Sequence, residues 1–105
     1  MYRMNGLEWS VCTVGADSPM LRRSDGGHTV GMCDRSTQTI YISNLLHGGF
    51  LRKVLIHEVA HSAMMSYSID MTVEQEEMFC DFIATYGDEI FNVADNLFNA
   101  LRKAA

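Results

Sequence analysis

His57-Glu58-Val59-Ala60-His61 is the stretch on which the reading of this chain turns. In a helix, residues four apart stand one above the other, so His57 and His61 can turn one ring nitrogen each toward a common point and bind a single Zn²⁺. Glu58 projects beside that pair rather than into it. From there it can take a proton from a water whose pKa the metal lowers, and pass it to a leaving amine. Outward from the motif, Phe50 to Ile56 and then Val59, Ala60, Ala63, Met64 and Met65 make the segment apolar on most sides. A helix of that kind is buried. Three polar side chains clustered in it need partners, and a metal satisfies them more simply than a pair of hydrogen-bonded core histidines.

Catalytic zinc keeps three protein ligands and one open position, so a third ligand is expected downstream. Glu74, Glu76, Glu77 and Asp81 are the carboxylates in reach of a second helix. Val73, Glu77, Cys80 and Ala84 fall in one helical row, which sets Glu77 among apolar neighbours and Glu76 toward water. Glu77 is the expected ligand and Glu74 the second choice. Glu74 and Glu76 otherwise read as an acidic first turn, favourable at a helix N-terminus. Asp81, one turn after Glu77, is placed to accept a hydrogen bond from the far nitrogen of a ligating histidine.

His57 to His61, followed by Glu77-Met78-Phe79-Cys80-Asp81, resembles the glutamate zincins, in particular the ImmA/IrrE-type metallopeptidases and the minimal gluzincins. The resemblance covers roughly residues 29–86. It implies a strand before the motif helix, matched by Gln38 to Ser43, and a second helix whose glutamate is followed four residues later by Asp or Asn. It further implies His57, His61 and Glu77 as zinc ligands, Glu58 as general base, and a peptide or protein as substrate. Two features of the pattern are missing, the leucine-methionine-proline ending and any appended DNA-binding or sensor domain.

With 105 residues, 48% of them hydrophobic, the chain is expected to be a single domain, 1–105, around one core. A formal net charge of -5 with scattered Lys and Arg argues against nucleic acid as a partner. No long apolar run follows Met1, so neither a signal peptide nor a membrane span is predicted, and a cytoplasmic location is expected. Cys12, Cys33 and Cys80 are widely spaced without a CxxC, and each is expected to be a small buried residue rather than part of a disulfide framework. Cys80 is the one that could reach the metal.

Alternation over Leu7 to Val14, over Thr29 to Cys33 and around Ile40 and Ile42 predicts three strands, the last two forming a hairpin with Gln38 to Ser43 at the sheet edge. The motif helix is expected from about Phe50 to Tyr67. A capping box at Thr72 and Gln75 opens a second helix ending near Gly87, and Asp88 opens a third bearing Ile90, Ala94, Leu97, Phe98 and Leu101 on one stripe. The expected fold is α+β and zincin-like, a small three-stranded sheet packed on the HExxH helix and two further helices. Candidate oxyanion-stabilising donors are His28, Tyr67 and Tyr86, and Tyr41 either lines the cleft or sits on the outer sheet face. Three functions fit: a zinc peptidase (hydrolase), a non-catalytic zinc-binding regulatory module with a closed fourth position, and a peptidase acting on a regulator bound by docking.

Overall fold

A computed structural model of the chain describes residues 1–104. It is an α+β fold: four strands, β1 (Tyr2–Met4), β2 (Leu7–Val14), β3 (Gly31–Asp34) and β4 (Thr39–Ser43), and two helices, α1 (Gly48–Ser66) and α2 (Val73–Ala104). A single 3₁₀ turn, Pro19–Leu21, caps the crossover between β2 and β3.

The sheet order is β1-β2-β4-β3, with β1–β2 and β3–β4 antiparallel and β2–β4 parallel. The fourth strand arises because Asn5 and Gly6 take positive φ, 50° and 77°, as a two-residue hairpin turn requires, and so pair Tyr2 with Trp9 and Met4 with Leu7. The expected hairpin of the third and fourth strands is present, but β4 is not at the edge. Its second side is taken by β2, which sets Val11 opposite Ile40 and Thr13 opposite Ile42. The edge next to the motif helix is β3.

Ile40, Ile42 and Val54 form the buried centre, with Leu51, Leu55 and Val59 of α1 packed on it. The innermost stripe of α1 is less apolar than its sequence suggests. Val54, Glu58, Ser62 and Ser66 recur every four residues and face the sheet. The serines are satisfied there: the Tyr2 hydroxyl donates to Ser62 Oγ at 2.8 Å, and the buried Trp9 indole N–H donates to Ser66 Oγ at 2.8 Å. Asn5 adds a bond to the Ser66 carbonyl at 2.9 Å. The N-terminal hairpin thereby fixes the far end of the motif helix.

The capping box forms as expected. Gln75 N–H donates to Thr72 Oγ1 and Thr72 N–H to Gln75 Oε1, each at 3.1 Å. The helix it opens does not stop at Gly87, and no third helix starts at Asp88. A glycine inside a helix costs about 1 kcal/mol against alanine. Here Gly87 is buried and the next residue, Asp88, makes a two-pronged ion pair with Arg52 of α1 at 2.5 and 3.0 Å. That exposed pair ties α2 to α1 immediately after the glycine. Among the described residues, no helix is long and apolar enough to cross a membrane.

Candidate metal centre

The two histidines of α1 and three carboxylates of α2 meet where the helices pack. His57 and His61 are edge-on, ring centroids 4.8 Å apart, with their Nε2 atoms 3.2 Å from one another. The carboxylate of Glu77 spans both, Oε1 lying 2.9 Å from His61 Nε2 and Oε2 3.3 Å from His57 Nε2. The outer nitrogens are also engaged. His57 Nδ1 is 2.9 Å from Asp81 Oδ1, and His61 Nδ1 is 2.6 Å from Glu76 Oε2.

Each imidazole thus has a carboxylate at both nitrogens, and when Nδ1 donates its hydrogen to the outer carboxylate, Nε2 presents a bare lone pair toward Glu77. Two such lone pairs and the Glu77 carboxylate converge on one point, an arrangement that repels itself unless a cation or extra protons lie among them. The spacing suits a metal: bonds of about 2.0–2.1 Å in tetrahedral geometry set neighbouring donor atoms roughly 3.3 Å apart. The group His57, His61 and Glu77 can therefore hold a metal ion.

Glu76 departs from expectation. Its side chain is 21% exposed against 51% for Glu77, so it points inward onto His61 rather than toward water. The reason is the rotation of α2. The ridge pressed against the rest of the molecule includes Glu76, Cys80 and Gly87, whereas Val73, placed in the inner row by sequence, is 80% exposed. Rotated this way, the helix presents Glu77 across the histidine pair, with Glu76 and Asp81 on either flank. Glu74 is exposed and stands outside the group.

Glu58 is buried, and its carboxyl is pushed above the ordinary carboxylate range, chiefly by burial, which outweighs the attraction of His57 and His61; the negative Glu77 adds to the rise. It is packed against Gly31 at the start of β3. A Cβ on that glycine would lie 2.8 Å from Val54 Cγ1 and 3.1 Å from Glu58 Oε2, so only glycine lets the edge strand settle on the motif helix here. Two cavities open on either side of His57 and Glu58. One, of about 640 Å³, is lined by Arg23, Met32, Cys33, Glu76 and Glu77 among others; the other, of about 230 Å³, by Val30, Phe50, Lys53 and Asp81.

Cys80 is fully buried and its thiol is pushed up to about 12 by burial and by the surrounding carboxylates, Glu76 first; Cys33 is likewise pushed up to about 12, chiefly by burial. Among the described residues, no fourth His, Cys, Asp or Glu joins the three converging side chains. Cys12, expected to be buried, is exposed on β2. Tyr41 is half-buried on β4, paired with Cys12 and Met32. It lines neither cavity beside His57, and the same is true of His28, Tyr67 and Tyr86. The cationic side chains that do line them, Arg23 and Lys53, were not singled out by sequence because scattered Arg and Lys carry no spacing signal. Comparison of the chain with protein-family models, with curated proteins and with solved structures returns no match.

Proposed function

We propose that the chain is a zincin-type, zinc-dependent peptidase, with His57, His61 and Glu77 holding Zn²⁺ and Glu58 as general base. The observation that carries this reading is the convergence of His57 Nε2, His61 Nε2 and the Glu77 carboxylate on one point, with Asp81 and Glu76 at the outer nitrogens and a buried Glu58 of raised pKa alongside. Bound there, zinc would supply Lewis acidity, making a water nucleophilic near neutral pH and polarising a peptide carbonyl.

The chain's own residues supply the rest. Glu58, proton affinity raised by its apolar surroundings, takes the proton of the attacking water and returns it to the leaving amine. Asp81 and Glu76, as acceptors at the two Nδ1 atoms, hold the imidazoles in the ligating tautomer and orientation. The side of β3 not paired with β4 can hydrogen-bond an extended peptide, and Gly31, Met32 and Cys33 along it line the larger cavity. A cleft that runs along an exposed strand edge favours a peptide or protein substrate, including a regulator brought in by docking.

The resemblance to ImmA/IrrE-type and minimal gluzincin domains supports the same assignment through its motif residues. A closed, non-catalytic zinc site is favoured less, since it would need a fourth ligand and Cys80 does not join the group His57, His61 and Glu77.

Metal content measured by mass spectrometry on protein prepared without chelator tests the site. Near one zinc per chain is expected, lost in His61→Ala and Glu77→Ala. Glu58→Gln should retain zinc and abolish hydrolysis of a peptide library. Wild type that folds without retaining metal, or full turnover by Glu58→Gln, refutes the assignment.

A further inference from the structure

We propose that the C-terminal half of α2 is a self-association element, pairing antiparallel with the same segment of a second copy of this chain. The inference does not depend on the peptidase reading. Beyond its contact with α1 through Asp88, every described residue from 88 to 104 is exposed, and the helix extends the molecule to 55 Å along one axis against 30 and 27 Å along the others. A helix segment that stays in water is expected to carry polar residues all round, because an apolar stripe gains stability only when another surface covers it. This one does not.

Ile90, Val93, Leu97, Phe98 and Leu101 recur at three- and four-residue spacing, with Ala94 between them and Phe91 on the flank. They are about half to two-thirds exposed, Leu101 reaching 70%. With large side chains of this kind, the stripe presents roughly 600 Å² per chain, so a twofold pairing would bury on the order of 1,200 Å² in total, the lower limit for a specific interface.

Charge decides the occupant and the direction. The segment begins with Asp88 and Glu89 and ends with Arg102 and Lys103, so two copies side by side in parallel would set like charges together, and two copies antiparallel set opposite ones together. Asp88 is already paired with Arg52, which leaves Glu89 at the acidic end to lie level with the basic end of the second copy. With residue 89 of one copy level with residue 102 of the other, Ile90 is level with Leu101, Val93 with Phe98 and Ala94 with Leu97, so the apolar positions share the span over which the charged ends complement each other; Glu89 and Arg102 flank the stripe on opposite sides and make no direct pair across it. A membrane surface is a poorer occupant: the acidic Asp88, Glu89 and Asp95 on this segment and the net charge of -5 oppose anionic lipid.

Sedimentation equilibrium of the wild-type chain over a wide concentration range should give a reversible monomer–dimer equilibrium. Leu97→Asp with Leu101→Asp should sediment as monomer at every concentration, with unchanged circular dichroism because both positions lie outside the packed body. Arg102→Glu with Lys103→Glu should raise the dissociation constant by about tenfold or more, and adding Glu89→Lys should return it toward the wild-type value. A wild type that stays monomeric, one that forms larger assemblies, an aspartate variant that remains dimeric, or a reversed-charge combination that fails to recover affinity each overturns the proposal. So does a monomer that co-floats with anionic vesicles, which would make the stripe a membrane face.

Discussion

Replacing Glu76 by alanine should separate a residue that holds a ligand from one that is a ligand. Glu76 Oε2 lies 2.6 Å from His61 Nδ1, close enough for a charge-assisted hydrogen bond, and its side chain is only 21% exposed, so water replaces that acceptor poorly. Without it, His61 is free to move its hydrogen to Nε2, the atom that faces Glu77 and His57, and the neutral ligating tautomer loses its preference. Removing an outer-shell carboxylate of this kind weakens metal binding by about 10- to 100-fold, or about 1.4–2.7 kcal/mol. Asp81 occupies the matching position on His57 but is 72% exposed, so Asp81→Ala should fall near the bottom of that range. The assay is competitive titration of zinc against a chromophoric chelator, with metal stoichiometry measured in parallel. Glu76→Ala should still take up one zinc per chain at saturating metal, with Glu76→Gln intermediate in affinity because its amide oxygen still accepts. An affinity unchanged from wild type would refute the tautomer argument. Complete loss of binding, equal to that of Glu77→Ala, would show Glu76 to be a ligand itself.

Other consequences can be measured on the same protein. Gly31→Val should lower thermal stability, because its Cβ meets Val54 and Glu58 inside contact distance; overpacking of this sort costs about 1–3 kcal/mol, several degrees in melting temperature, and an unshifted melt would show that β3 yields freely. In metal-free protein the raised pKa of Glu58 means the folded state holds that proton more tightly than the unfolded one. Its stabilising contribution is full below the ordinary value of 4.5 and is lost as pH climbs through the raised value, so Glu58→Gln should flatten the decline of stability between 4.5 and the raised value; identical pH profiles would count against a desolvated carboxyl. Of the three thiols, exposed Cys12 should react quickly with a disulfide reagent at mildly alkaline pH, half-buried Cys33 slowly because its thiol is pushed up to about 12, and buried Cys80, also pushed up to about 12, only on unfolding; a fast phase of more than one thiol would contradict the raised values.

How much could be read from the chain alone depended on whether the deciding signal was local. The motif helix, the Thr72–Gln75 cap and the hairpin joining Gly31–Asp34 to Thr39–Ser43 are set by neighbours in sequence, and all were legible. So was the turn at Asn5-Gly6, a strong hairpin signal that a search for apolar runs passed over. The interior position of β4 was not, since it depends on a parallel partner, Ser10 to Val14, on the other side of a long crossover. In α2, the choice between Glu76 and Glu77 as the inner residue is a rotation of one position. Cys80 and Gly87 held the cue, because small residues mark where a helix is approached closely, while Val73 misled by being apolar yet exposed. Gly87 read as a stop because a glycine weakens a helix, and the Arg52–Asp88 pair immediately after it belongs to two different elements.

The five polar side chains of the candidate metal centre, His57, His61, Glu76, Glu77 and Asp81, all lie on one helix–turn–helix, whereas the sheet must join residues 10–14 to residues 39–43 in parallel before it is complete. Short loops close cheaply and long ones late, so during refolding of the whole chain the two helices can come together before the strands have found their order. A cation captured at that moment would act as a staple on the folding nucleus. Refolding should then accelerate with added zinc by an amount that depends on His61 and Glu77, while the later assembly of β2 with β4 keeps its own pace.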